Sequence, residues 1–300
     1  MATTTFNDII FGQTVLQQLT EILTPLNAFA TDISGDVKDQ GATVVVPLYG
    51  NMTTTTFSQS TTAMEPSTTT ATVSAVTVNL SSRKITPLNL TVQQVAESSA
   101  AKYERWGAQM VNSMAQTILG EVWSLITTTA FGEAIITTTS TNHALASLIT
   151  ARQSLLGAGV RGPKSFVINL AGEGALLGDT KLVAVSNRGD NQAIKKGTIG
   201  EIMGLQVYSS DIIPTNSISL TGFACGQDAI VFAMRNLGEY LPSGEFEAMQ
   251  QLTDPESGIS VLYTRHWSRA SGSWWVNLHA LYGYSVAVTL ALKPFRTATT

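Results

Sequence analysis

The 300-residue sequence is short of charge, cysteine and histidine. Charged residues make up 13% of it, about half the usual share of roughly 25%. So uncharged a chain either buries much of its surface against partners or wears a coat of threonine and serine, and composition leaves both open. Net charge is −4 with a pI near 5.4, so there is no basic footprint for sequence-specific nucleic-acid binding. A single cysteine, Cys225, excludes an intrachain disulfide framework and a cysteine-rich zinc site. The three histidines, His143, His266 and His279, are far apart and lack the HxxxH spacing of a metal site. His266 and His279 fall on the polar sides of predicted strands, which favours solvated or hydrogen-bonded structural roles. Long apolar runs are missing too. The longest, near Leu278–Leu292, is interrupted by Tyr282, Gly283, Tyr284 and Ser285, too short and mixed for a membrane helix. The opening "MATTTFNDIIFG" has neither the basic region nor the apolar run of a secretory signal. The expectation is a chain made in the cytoplasm that does not meet a membrane.

What the chain does have is an order of parts. Residues 1–40 read as an arm. Asn7 or Asp8 caps a short helix carrying Ile9, Ile10, Val15, Leu16, Leu19, Ile22 and Leu23, and Pro25 ends it. Val44–Tyr49 and Val73–Leu80 read as strands, the second with Val76, Val78 and Leu80 on one face. About twenty Thr/Ser-rich residues lie between them, longer than most compact domains tolerate in a loop. Threonine is β-branched, so the stretch suits an extended two-stranded ribbon, which cannot bury a core alone and needs a neighbouring surface. After Pro87, the residues Val92, Val95, Ser99, Tyr103, Trp106, Met110, Met114, Ile118, Val122 and Leu125 recur every three or four positions. They predict one long helix over Thr91–Ile126, about 50 Å at 1.5 Å per residue, which Gly107 and Gly120 could bend.

Residues 131–240 alternate between helix and strand. Asn142 is the expected cap of a helix with Leu145, Leu148, Ile149 and Leu156 on one face, closed by Gly157 and Gly159. "KSFVINL" predicts a buried strand, "AGEGALLGD" a short helix, and Leu205–Ser209 and Ala229–Arg235 further strands. From Trp274 to Leu292 every even position is apolar or alanine, which predicts one very long half-buried strand with a bend or bulge at Gly283. Ile259, Val261, Tyr263 and Trp267 predict the strand before it.

The chemistry-bearing patterns are weak. Gly172, Gly174 and Gly178 follow a strand and open a helix, with Asp190 downstream, but the spacing is GxGxxxG and only one βαβ-like unit is visible. A dinucleotide fold repeats the unit. Lys195 and Lys196 precede Gly197, Gly200 and Gly204, whereas a P-loop places lysine after the glycines, so this stretch reads as shape. Cys225 lies in an apolar "GFACG" setting that favours an inert thiol. The Arg188–Asp190 tripeptide RGD and the pairs Glu245/Glu247 and Asp254/Glu256 read as loop residues. No catalytic, cofactor-binding or metal-binding residue is expected.

The sequence of arm, ribbon, long helix, α/β module and returning β section resembles the major capsid proteins of tailed double-stranded DNA phages, the Hong Kong 97 type fold. "GTIGEIMGLQVYSSDIIP", Gly197–Pro214, looks like a stretch of that family's A-domain, matched at Gly204, Val207, Tyr208, Ile213 and Pro214. "GFACGQDAIVFAMR" looks like the A-domain strand that follows. The resemblance implies an α+β fold divided into an N-terminal arm at 1–40, an E-loop at 41–86 and a P-domain spine helix at 87–130. An A-domain at 131–240 and a P-domain β sheet with the C-terminus at 241–300 complete it. It implies a structural, non-enzymatic protein without cofactor, whose copies form the pentamers and hexamers of an icosahedral virion shell. The implied partners are other copies of the chain, a separate scaffolding protein, a portal and double-stranded DNA contacted non-specifically. The ribbon has no lysine between Asp39 and Ser82, so the lysine crosslinking of some family members is not expected. An encapsulin-type nanocompartment shell is the alternative on the same fold, and a nucleotide-dependent oxidoreductase is the enzyme alternative.

Overall fold

The computed structural model describes residues 8–29, 43–49, 73–97, 100–183, 200–238, 243–254 and 258–297. The N-terminal helix, Asp8–Leu23, continues into a 3-10 turn, Thr24–Ala28, with Pro25 in its first turn, where a missing N–H costs nothing. The ribbon strands follow as β1, Thr43–Tyr49, and β2, Val73–Asn79, paired antiparallel from Thr43 opposite Asn79 to Tyr49 opposite Val73. The stretch between them lies outside the described residues. Next come β3, Ser82–Thr91, a short helix, Val92–Glu97, and the spine helix, Ala100–Ser124.

The α/β module contains β4, Ile136–Thr137, a helix at Leu145–Gly157, β5, Lys164–Ile168, a helix at Leu170–Gly178, and β6, Glu201–Ile202, with β7, Leu205–Ser209. Five strands follow: β8, Leu220–Gly226; β9, Ile230–Arg235; β10, Ala248–Thr253; β11, Ser260–Ser268; and β12, Ser273–Val286. Then β13, Leu292–Arg296, ends the series.

These strands form two larger sheets beside the ribbon. One runs β10-β11-β12-β3, with β9 taking over β11's side of β12; the other runs β4-β13-β8-β5-β7-β6. The spine helix lies on the first. Met110, Val111, Met114, Ala115, Ile118, Leu119, Val122 and Trp123 are buried among Val261, Tyr263, Val276, Leu278, Ala280 and Tyr282. The same core takes in Phe11, Val15, Leu19 and Leu23 of the N-terminal helix, and Val167, Phe223 and Leu292 of the second sheet. A separate core fills the second sheet's other face, from Leu148, Ala151 and Leu155 to Phe166, Ile168 and Phe295.

Several expectations are corrected. Pro87 does not introduce the helix but lies inside β3, at the sheet edge, opposite Asn277. Proline is tolerated there because the free side of an edge strand needs no donor. The spine helix is therefore shorter than Thr91–Ile126, and Trp106 and Val92 of its predicted stripe are exposed, at 48% and 57%. Gly107 serves approach rather than bending: a Cβ there would meet the Phe11 ring at 2.5 Å. Asn142 does not cap the helix that starts at Leu145. The Leu145 N–H donates to the Asp179 carboxylate at 3.0 Å, and Ile149 points outward at 37% exposure. Gly159 does close that helix, with φ +85° and the Gly159 and Val160 N–H groups donating to Leu156 and Leu155.

The predicted strand over Trp274–Leu292 stops at Val286. A 3-10 turn at Thr289–Ala291 intervenes, and β13 crosses into the second sheet beside β8. In the reverse sense, β9 was expected with the α/β module but pairs with β12. Gly283 makes no bulge, because the register through Gly283 opposite Ala233 is regular. Its missing side chain admits the Asn79 carbonyl oxygen, which a Cβ would strike.

Candidate functional site

Three readings of chemistry can be tested against geometry. Cys225 is fully buried, its Sγ 3.7 Å from the Ala28 carbonyl oxygen, and burial pushes its thiol well up. Such a group is not a nucleophile. Gly172 is a packing glycine: a Cβ there would meet the Ile168 side chain at 2.5 Å. The helix N-terminus it opens is already served by Asn169, whose Oδ1 accepts from the Gly172 N–H at 2.9 Å. Asp190, the RGD tripeptide, Lys195, Lys196 and Glu256 lie outside the described residues, and Glu245 and Glu247 are exposed. Among the described residues no group of three His, Cys, Asp or Glu side chains could hold a metal ion. No helix among them is long and apolar enough to cross a membrane.

The histidines hold structure. His279 is 5% exposed, with Nε2 3.0 Å from Thr264 Oγ1 across the β11–β12 ladder. Burial, with Arg83 and His266 nearby, holds its pKa down to about 4. His143 is buried beside Phe295, its Nδ1 3.4 Å from Ser147 Oγ, and burial lowers its pKa.

Glycines 200 and 204 shape a hairpin. Met203 and Gly204 have φ +54° and +73° between β6 and β7, the two-residue turn that right-twisted strands prefer. Gly204 has nothing within 4 Å of a would-be Cβ. It is needed for its backbone angle and not for close approach.

What the described residues offer is surface. The ribbon stands on the body through a small cluster, Val44, Val78 and Leu80 against Val231 and Ala233. Val45 on its opposite face and Val73 at its outer end are exposed at 53% and 57%. Beside the outer end of the ribbon strands an open groove of about 620 Å³ runs past Leu48, Ser74, Arg161, Asp228 and Leu290. The outer face of the spine helix is Gln109, Asn112, Ser113, Gln116 and Thr117, all exposed and uncharged. At the far end of the first sheet Trp267 packs edge-on against Trp274 at 5.2 Å and remains 37% exposed. The sequence signalled the ribbon. It did not signal the groove, which five separated stretches of chain build.

The model of the phage capsid protein family matches residues 88–266, more than half of the chain. The chain belongs to the phage capsid protein family. It is a structural major capsid protein, and its copies assemble into the multimeric shell of a virion. Solved capsid structures share its fold. A Mycobacterium phage Che8 chain is 15% identical, with 90% of this chain and 89% of that one covered at a TM-score of 0.54. The capsid of cyanophage P-SCSP1u is 12% identical, over 87% of this chain and 85% of that one, at 0.56. The capsid of an empty GTA particle is 15% identical, over 93% and 90%, at 0.54. No curated protein matches the sequence. The capsid protein thus has the Hong Kong 97 type fold that its order of elements resembled.

Proposed function

We propose that this capsid protein forms the pentamers and hexamers of an icosahedral head that encloses double-stranded DNA, with the ribbon as the bridge between subunits. One observation carries the bridging role. The ribbon is anchored by a handful of apolar side chains on one face, Val44, Val46 and Val78 among them, while Val45 on its other face and Val73 at its outer end face solvent, so the ribbon buries little within its own subunit. Residues 51–72 hold one charged residue, Glu65, and no lysine, which suits a dry, non-covalent contact. DNA is contacted without sequence preference, since the chain carries no basic footprint for reading it. A separate scaffolding protein and a portal are the further partners, and assembly takes place in the host cytoplasm. The division is an arm at 1–40, an E-loop at 41–86, a spine segment at 87–130, an A-domain at 131–240 and a P-domain sheet at 241–300. The strand exchange supports one amendment to it: β9 goes with the P-domain and β13 with the A-domain.

The test removes Thr53–Thr70 and joins the strands by a short turn. The subunit should unfold at nearly the parent temperature, and closed shells should be lost or much reduced in sedimentation. Parent-level shell yield from the shortened chain would sink the bridging role. Parent shells should also run as single chains in denaturing gels, and a boiling-resistant ladder would contradict the non-covalent contact.

A further inference from the structure

The ribbon root and the spine helix meet at one carboxylate. Lys84, the third residue of β3, places Nζ 2.5 Å from Oε1 of Glu121 in the last turn of the spine helix. The Tyr282 hydroxyl donates to Glu121 Oε2 at 2.7 Å, and the Tyr284 hydroxyl lies near the same carboxylate. Between the two tyrosines Gly283 receives the Asn79 carbonyl at the end of β2. One carboxylate therefore collects the strand leaving the ribbon, the long strand β12 and the helix. Glu121 and Lys84 remain 26% and 38% exposed, so protons and water reach them.

We propose that Glu121 is a latch that holds the corner between β2 and β3 to the spine helix, and that protonating it, or removing Lys84, frees that corner. As a carboxylate, Glu121 accepts from both donors. As an acid it has no charge for Lys84, and one oxygen carries a proton that needs an acceptor of its own. The titratable groups facing it are Lys84 from β3 and Tyr282 and Tyr284 from β12. Its own helix adds none within a turn, where Thr117, Ile118, Gly120, Ser124 and Leu125 stand. Burial alone would raise its pKa, but the bonds from Lys84 and Tyr282 and the Lys84 charge together bring it below 4.5. The latch is thus closed at neutral pH and opens only as pH falls through that lowered pKa, below the ordinary carboxylate value. Any effect on assembly rests on the bridging ribbon proposed above; the latch itself does not.

The experiment is hydrogen exchange by mass spectrometry on the full-length unassembled chain, so failure to form shells leaves it readable. Glu121→Gln copies the neutral side chain, Lys84→Met removes the donor charge, and Lys84→Arg conserves it. At neutral pH, Glu121→Gln and Lys84→Met should speed exchange across 73–91 about fivefold, with 100–118 and 220–226 unchanged, and Lys84→Arg should keep the parent pattern. On acidification the ratio of the Glu121→Gln rate to the parent rate should fall toward one, since the change that the buried histidines bring is common to both chains. Equal acceleration in the spine helix would mean ordinary packing loss and overturn the latch. So would parent-like exchange in Glu121→Gln, or a Lys84→Arg chain as fast as Lys84→Met.

Discussion

Two glycines of this protein do opposite jobs, and substitution should separate them. Gly204 needs its left-handed angle but has open space around it. Gly204→Val should cost about 1–2 kcal/mol from backbone strain alone, seen as a lower unfolding midpoint. Gly283 has ordinary extended backbone, yet a methyl there meets the Asn79 carbonyl, which belongs to main chain and cannot step aside. Gly283→Ala should therefore cost more than Gly204→Val despite the smaller side chain, and the reverse order in thermal unfolding would contradict these roles. The buried histidines set a pH dependence. His279 is neutral in the fold down to about pH 4 but takes a proton near 6.5 when unfolded. The unfolded chain binds more protons in that interval, so stability falls as pH drops from about 6.5 to 4. His143 adds in the same direction. Unfolding midpoints across this range should slope downward toward acid, and His279→Gln should make the slope shallower.

The spine helix shows what an element needs beyond its own sequence. Its C-terminal carbonyls would be orphaned at the joint between the sheets. Asn216, ninety residues on, donates Nδ2 to the Trp123 carbonyl at 3.1 Å and the Ile126 carbonyl at 2.7 Å, from a backbone at φ +43°. Asn216→Ala should cost about 1–3 kcal/mol, because the Ile126 carbonyl loses its donor and the Trp123 carbonyl keeps only the Ile126 N–H; an unchanged midpoint would show water serving them as well. Sequence pattern revealed elements wherever the period was long and clean, as in Met110 to Val122 and Trp274 to Val286. It failed where two causes give one pattern. Pro87 fits both a helix entry and an edge strand, so β3 went unseen although Thr86, Leu88 and Leu90 alternate inward. The even-numbered apolar run past Val286 passes through a turn and keeps its parity by accident, so β12 and β13 read as one strand. The Glu121 cluster was not legible, because Lys84, Glu121 and Tyr282 are joined only by folding.

At the scale of the whole molecule, the N-terminal segment is part of the foundation. Phe29 stacks on Phe223 at 5.9 Å, and Trp123 meets the same ring edge-on at 6.1 Å. Thus the second sheet, the spine helix and the segment after the N-terminal helix share one contact. Phe29→Ala should cost about 3–5 kcal/mol, and both sheets should still melt in one calorimetric transition; separate transitions would mean the shared core does not couple them. The chain passes between the sheets at two adjacent places, Gln227–Ala229 and Thr289–Ala291. The crossings are tied by Ala287 N–H to the Ala229 carbonyl and Val288 N–H to the Asp228 carbonyl, at 3.0 and 3.1 Å. In mechanical terms the joint has two straps side by side rather than one. A load that pushes one sheet away from the other is shared between them, and a twist that would wind freely about a single strap must shear the bonds that join the pair.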